Sequence, residues 1–199
     1  MLLSPLSFAA GAATWSLAEY SMHRFLGHAT RQRASTQKPG LFDGDFGSEH
    51  QAHHADTRYF TPTTRKVKAA AVALSAFGVA GSLVVGPRRA LSFVLGFGLT
   101  YAGYEILHRR THTHAPNNAY SRWARRHHLS HHFADPRTNH GVTSPFWDHV
   151  FGTWADHGKL RVPRRHAPSW LFDADGNVRG EYASDYECSP RASEPNAST

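Results

Sequence analysis

The chain has 199 residues, 40% of them hydrophobic and only 19% charged, with 22 Lys and Arg against 15 Asp and Glu and a single cysteine. One cysteine, Cys188, excludes a disulfide framework and a cysteine-based zinc ribbon, and the length bounds the chain to one domain with a tail. Sixteen histidines, far above ordinary usage, offer the neutral metal ligand that the cysteines do not, so the composition points to metal.

The net charge of +7 permits nucleic-acid binding, but no zinc-finger, homeodomain or aromatic-basic recognition motif accompanies it, so no nucleic-acid partner is expected. The placement of the charges is more informative. Residues 1–23 hold no Lys or Arg, 24–68 hold eight, 86–89 hold two and 108–165 hold ten. Between these basic blocks lie three stretches without charge: Leu2–Leu17, Ala69–Val85 and Ala90–Tyr104. At 1.5 Å per residue each helix covers roughly 25–30 Å, about one hydrocarbon core. The linker Gly86-Pro87-Arg88-Arg89 reads as a helical hairpin turn, because Gly86 suits a C-terminal cap and Pro87 starts a helix but cannot continue one. The second and third helices are therefore antiparallel neighbours. The mean hydropathy of −0.49 is low for a membrane protein because the His- and Arg-rich remainder outweighs the apolar third. Two other readings of these helices are a soluble protein with buried core helices, and a signal peptide cleaved near Ala9–Ala13, which would lack a positive n-region.

Counting basic residues beside the spans sets the orientation. Eighteen Lys and Arg flank one side and two flank the other, which puts the His-rich segments in the cytoplasm and the N-terminus with Arg88 opposite. Three spans, running out-in-out-in, satisfy this. The short chain and its Ala and Arg richness favour a bacterial inner membrane over an endoplasmic reticulum.

The histidines fall into clusters: His23 and His28; His50, His53 and His54; His108 and His112; His128, His131 and His132. On a helix, residues i, i+3 and i+4 share a face, so each HxxHH triad presents three imidazoles in one direction. His23 and His28, five apart, share a site only if the helix ends or unwinds between them, and Gly27 offers the place. Every cluster sits at or just beyond the cytoplasmic end of an apolar span. Ten imidazoles are too many for one tetrahedral zinc and suit two metals of about five ligands each.

These boxes, with Asn139-His140-Gly141 and Trp147-Asp148-His149-Val150-Phe151-Gly152-Thr153 after them, resemble the fatty acid hydroxylase and sterol desaturase superfamily over roughly residues 14–154. The resemblance implies an all-α integral membrane bundle whose cytoplasmic helices carry a dinuclear centre, with residues 1–160 as the hydroxylase-like domain; the composition of 161–199 reads as a polar tail, disordered from about residue 185 onward. The resemblance also implies two irons, dioxygen as co-substrate and a lipid substrate, most readily a fatty acyl chain. Carotenoid and sterol oxidation, and a non-catalytic metal protein, are the alternatives. Box by box the ligands would be His23, His28, His50, His53, His54, His108, His112, His128, His131 and His132. His127 falls out of phase with its triad and faces away, His140 stands where the family usually shows an aromatic, and His114, His149, His157 and His166 match no box.

Imidazole suits iron, zinc and copper alike, but dioxygen chemistry needs a redox metal, so zinc in a purified sample would be a substitution. Carboxylates are expected behind the ligands to fix their tautomers. Glu19, four residues before His23, and Glu105, three before His108, have the right helical phase, with Asp148, Asn139 and His140 as further candidates. There is no GxGxxG fingerprint and no cysteine cluster, so electrons must come from a separate reductase, ferredoxin or cytochrome.

Overall fold

The computed structural model describes residues 3–28 and 45–189. Leu2 of the first expected span, the basic residues Arg31, Arg33 and Lys38, and the expected disorder beyond 189 lie outside them.

Helix α1 spans Pro5–Ser21, capped by Ser4, whose hydroxyl accepts from the Ser7 N–H, and started by Pro5. It runs without a break into a π-helical turn at Met22–Gly27. Helix α2 covers Asp45–Ala55, α3 Thr63–Val85 and α4 Pro87–Thr113. The expected hairpin turn joins the last two: Gly86 caps α3 with φ +82° and Pro87 opens α4. Helix α5, Ala119–Phe133, begins with a capping box in which Asn118 and Ser121 satisfy each other's backbone N–H groups. A short α6 follows at Phe146–Val150.

Helices α1 and α4 lie side by side in the same direction. The Ser4 N–H donates to Ser92 Oγ at 2.8 Å, and eleven residues along α1 the Trp15 ring meets Phe97 and Tyr101 edge-on at 5.3 and 4.7 Å. The backbones touch at two glycines: a Cβ on Gly11 would stand 2.1 Å from the Phe93 carbonyl oxygen and one on Gly96 2.0 Å from that of Phe8. No other residue fits either position. Helix α3 runs antiparallel on the other flank of α4, with Gly81 against Ala90 and Leu74 against Gly98.

Helices α3 and α4 are long and apolar enough to cross a membrane, whereas α1, at 17 residues, is shorter. None of the apolar window of α3 is buried inside the protein, and Val72, Val79, Leu83 and Val84 are each at least two-thirds exposed. A core helix of a soluble protein would be covered. In water each of these side chains would forgo about 1.5–3 kcal/mol of burial, so the bilayer is the solvent that this helix requires. The molecule is a mostly helical membrane bundle capped by the histidine-bearing helices.

The stretch expected as a polar tail is folded as far as Ser189. Strands β1, Leu160–Val162, and β2, Tyr186–Cys188, pair in parallel, and 3₁₀ turns at Arg164–His166, Ser169–Leu171 and Gly180–Tyr182 lie between them. Leu160, Val162, Trp170, Leu171, Tyr182 and Tyr186 bury themselves against Leu129 of α5. These apolar residues are too widely and irregularly spaced for any helical or strand period to show them.

Candidate metal centre

The ten boxed histidines gather into two groups of five at the end of the bundle. His23, His28, His50, His54 and His131 form cluster A, and His53, His108, His112, His128 and His132 form cluster B. Within each, one ring nitrogen per residue lies within 4.8 Å of all the others. The clusters abut, with the His54 ring stacked on that of His132 at 4.1 Å.

Each HxxHH triad is divided between the two. His50 and His54 turn to cluster A while His53 turns to B, and His128 and His132 turn to B while His131 turns to A. The i, i+4 pair shares a face, but residues one apart diverge by about 100° around the axis, so a triad straddles two sites. His23 and His28 meet because the helix widens between them: i→i+5 bonding in the π turn brings residues five apart over one another. Gly27 is needed there, since a Cβ would stand 2.8 Å from the His50 ring.

In cluster A the Nε2 atoms of His23 and His28 lie 2.9 and 3.1 Å from that of His131, His54 lies 3.2 Å from it, and His50 lies 3.1 Å from His28. In cluster B the corresponding separations are 3.1 Å for His53–His112 and His53–His108, 2.9 Å for His112–His128 and 3.0 Å for His128–His132. Ligands at about 2.1 Å from a metal and 90° apart are separated by about 3.0 Å, so these spacings are those of a coordination shell.

The donor chemistry fits a cation as well. His23 Nδ1 donates to the His140 carbonyl at 2.5 Å and His131 Nδ1 donates to that of Thr138 at 2.7 Å. With their protons held there, the two Nε2 atoms turn bare lone pairs on each other at 2.9 Å. In cluster B, His53 Nδ1 is likewise held by the Tyr59 carbonyl at 2.8 Å. Burial pushes the His53 pKa down to about 4 and that of His54 to about 3, and it lowers His128, His131 and His132 well below the usual range. The imidazoles are therefore neutral near pH 7, the form that binds metal.

The residues expected behind the ligands act differently. Glu19 does not touch His23: its carboxylate accepts from the N–H groups of Val142 and Thr143 at 2.7 and 3.0 Å and from the Thr143 hydroxyl at 2.8 Å. It ties α1 to the loop that supplies the His140 carbonyl. Glu105 pairs with Lys66 at 2.5 Å and not with His108. Asp148, fully buried, accepts from the His140 N–H, the Gly141 N–H and the Thr153 hydroxyl at 2.8–2.9 Å, and from His127 Nε2 at 3.2 Å. Asn139, at φ +56°, bonds Ser130 and both backbone groups of Ala155. The His140 ring stands beside cluster A, 5.3 Å from His131 and 5.5 Å from His23, with its Nδ1 buried and unpartnered. His127 points away from both clusters, against Trp123 and Asp148. The carbonyls of Tyr59, Thr138 and His140 carry no side-chain signature, and sequence reasoning missed them.

Two five-histidine clusters at one end of a membrane helical bundle define a membrane-embedded histidine-box protein. The Fatty acid hydroxylase family matches residues 8–153, and the chain belongs to that family. It is 33% identical over 150 residues to a dihydroceramide fatty acyl 2-hydroxylase of Arabidopsis thaliana, which covers 74% of this chain and 60% of the relative. A ceramide very long chain fatty acid hydroxylase of Schizosaccharomyces pombe is 32% identical, over 73% of this chain and 41% of the relative. A fatty acid 2-hydroxylase of Homo sapiens is 28% identical, over 75% and 39%. The chain thus spans between about two-fifths and three-fifths of the curated relatives it matches. The structure of full-length scs7p, in which only the hydroxylase domain is visible, superposes with a TM-score of 0.61 at 27% identity, over 76% of this chain and 56% of the other.

Proposed function

We propose that this chain hydroxylates the fatty acyl part of a membrane lipid with dioxygen as co-substrate, and that each cluster holds one metal ion, iron in the working enzyme. The observation that carries the reading is the sorting of all ten boxed histidines into two converging groups of five. His23, His28, His50, His54 and His131 would hold one ion, and His53, His108, His112, His128 and His132 the other. Bound iron supplies the redox chemistry that dioxygen needs, and zinc in a purified sample would be a silent substitute. The protein's own part is to aim neutral Nε2 lone pairs inward and to keep water from the buried clusters. No side chain has to act as nucleophile.

Asp148, Asn139 and Glu19 hold the loop whose carbonyls orient His23 and His131, and the His140 ring borders the first ion. Glu105 anchors the end of α4 through Lys66. Helix α1, parallel to α4, serves as the third span, which puts the histidine side in the cytosol under the positive-inside rule. A bacterial inner membrane is the proposed location. A separate reductase, ferredoxin or cytochrome delivers the electrons. The names of the relatives favour the 2-position of an acyl chain in a ceramide-type lipid over carotenoid or sterol substrates.

Mass spectrometry of total lipids from a host that expresses the chain, a matching redox partner and a ceramide supply tests this. The expected result is an acyl lipid heavier by one oxygen, dependent on dioxygen and absent with His131→Ala. Identical lipids in both strains, from a chain shown to carry two metals, would favour a non-catalytic metal protein.

A further inference from the structure

We infer that residues 160–188 form a positioning module that reaches every element of cluster B, whereas cluster A, which shares α2 and α5 with it, is fixed in addition by α1, the π turn and the 138–140 carbonyls. The inference rests on the reading of cluster B as a metal site. The module lies beyond the family match, which ends at residue 153.

It is tied to each element that carries a cluster B ligand. At α4, Trp170 Nε1 donates to the Thr111 carbonyl at 3.2 Å, one residue before His112. Beside that bond the buried Arg125 guanidinium, 5.9 Å from the Trp170 ring, donates to the carbonyls of Arg110 and His114 and so closes the end of α4. At α5, Leu129, next to His128, is fully buried in the module's core, and Arg122 Nε pairs with Asp185 at 2.7 Å. Just past α2, the Thr57 hydroxyl, four residues from His53, donates to the His166 carbonyl at 2.9 Å. Among the described residues, no hydrogen bond or ring contact from 160–188 reaches α1 or the π turn, which supply His23 and His28 to cluster A.

Cluster B needs such a device. In cluster A the rings of His23 and His131 are aimed by hydrogen bonds to backbone carbonyls. In cluster B, among the described residues, Nδ1 of His112, His128 and His132 is buried without a partner, and only His53 donates to a carbonyl. A ligand ring without a bond on its far nitrogen is oriented only by the packing of its helix. The module fixes α4, α5 and the end of α2 relative to one another, and with them the three unanchored rings.

The test uses the whole chain in detergent, loaded with Zn²⁺ and transferred to excess chelator while zinc release is followed. Wild type is expected to bind two zinc ions per chain. The double variant Thr57→Val/Trp170→Phe removes both tethering donors; the first change is isosteric, and the second also gives up part of the buried indole's packing in the module. It should release one zinc about tenfold faster than wild type and the other at the wild-type rate, two hydrogen bonds being worth about that factor or more. The accelerated zinc should vanish when His112→Ala is added and persist when His23→Ala is added. Equal acceleration of both ions, or of neither, would overturn the inference while leaving two metal sites in place. A wild type that binds no zinc would reject the metal-site reading itself and the inference with it.

Discussion

The Asp148 carboxylate accepts the backbone N–H of His140 at 2.8 Å, and the carbonyl of the same His140 receives Nδ1–H of His23 at 2.5 Å. Asp148 also accepts the Gly141 N–H at 2.9 Å, which lies in the same peptide unit as that carbonyl, so one buried acid aims a cluster A ligand through a peptide unit. Burial pushes its carboxyl pKa up, but the donors from His127, Gly141, Thr153 and His140 outweigh that and hold it below the usual range. Asp148→Ala would leave these donors orphaned, at about 1–3 kcal/mol for a buried group without its partner. The expected outcome is loss of cluster A zinc and a drop in stability of about 3 kcal/mol or more. Asp148→Asn, which keeps the shape but turns an N–H₂ toward one set of donors, should lie between. Metal analysis and denaturation of the detergent-solubilised chain check this, and a full complement of two metals in Asp148→Ala would count against it.

Gly27 lies under the His50 ring, where a Cβ would come within 2.8 Å of a ring carbon and 3.2 Å of Nε2. The Gln51 side chain also donates to its carbonyl at 3.0 Å, so α2 is docked on the π turn at this point. Gly27→Ala should displace His50 and weaken cluster A, raising its zinc dissociation constant by an order of magnitude or more, while cluster B keeps its ion. Competitive titration of each site provides the measurement. Unchanged affinity at both would show that α2 yields without disturbing the ligands.

The four boxes, the hairpin at Gly86-Pro87 and the ten clustered residues were readable because their signals are local: a spacing on one helix, or a turn made by adjacent residues. The division of each triad between two sites is masked by the shared face of the i, i+3 and i+4 positions, although the 100° step between His53 and His54 implies it. Glu19 stands out in the sequence as an acid in an apolar setting, but its partners, Val142 and Thr143, lie more than a hundred residues away and are mostly backbone, so no local spacing reveals its role. The 160–188 fold escaped for a related reason. Its order comes from a few separated aromatic and aliphatic residues that find Leu129, and no period marks such a set.

The Lys66–Glu105 pair separates two roles that helical phase alone confused. Glu105 lies one turn before His108, yet its carboxylate meets Lys66 at 2.5 Å, with both side chains about a quarter exposed. It joins the start of α3 to α4 and leaves His108 untouched. An ion pair that still reaches solvent in this way is worth about 1 kcal/mol or less. Glu105→Gln should therefore lower stability by no more than that and leave two metals bound with unchanged affinity. Loss of metal from cluster B in Glu105→Gln would restore the direct role that the spacing suggested.

Acid should dismantle the metal-free cap well before it disturbs the loaded one. His50, His53, His54, His128, His131 and His132 all have pKa values lowered by burial, with His53 near 4 and His54 near 3. Unfolded, each titrates near 6.5. Between that value and its folded pKa, the unfolded chain holds a proton that the folded chain does not, so stability falls as the pH falls. The slope is about 1.4 kcal/mol per pH unit for each such histidine. With several acting together, a drop from pH 6.5 to 5 removes an amount comparable to a typical domain's margin of stability. Metal binds only the neutral rings of the folded state and opposes this loss by mass action. Tryptophan fluorescence and far-UV circular dichroism, followed during acid titration, should show the metal-free chain losing structure between pH 6.5 and 5. The zinc-loaded chain should follow at least one pH unit lower. Coincident curves for the two forms would mean that the clusters are not where protons and metal compete.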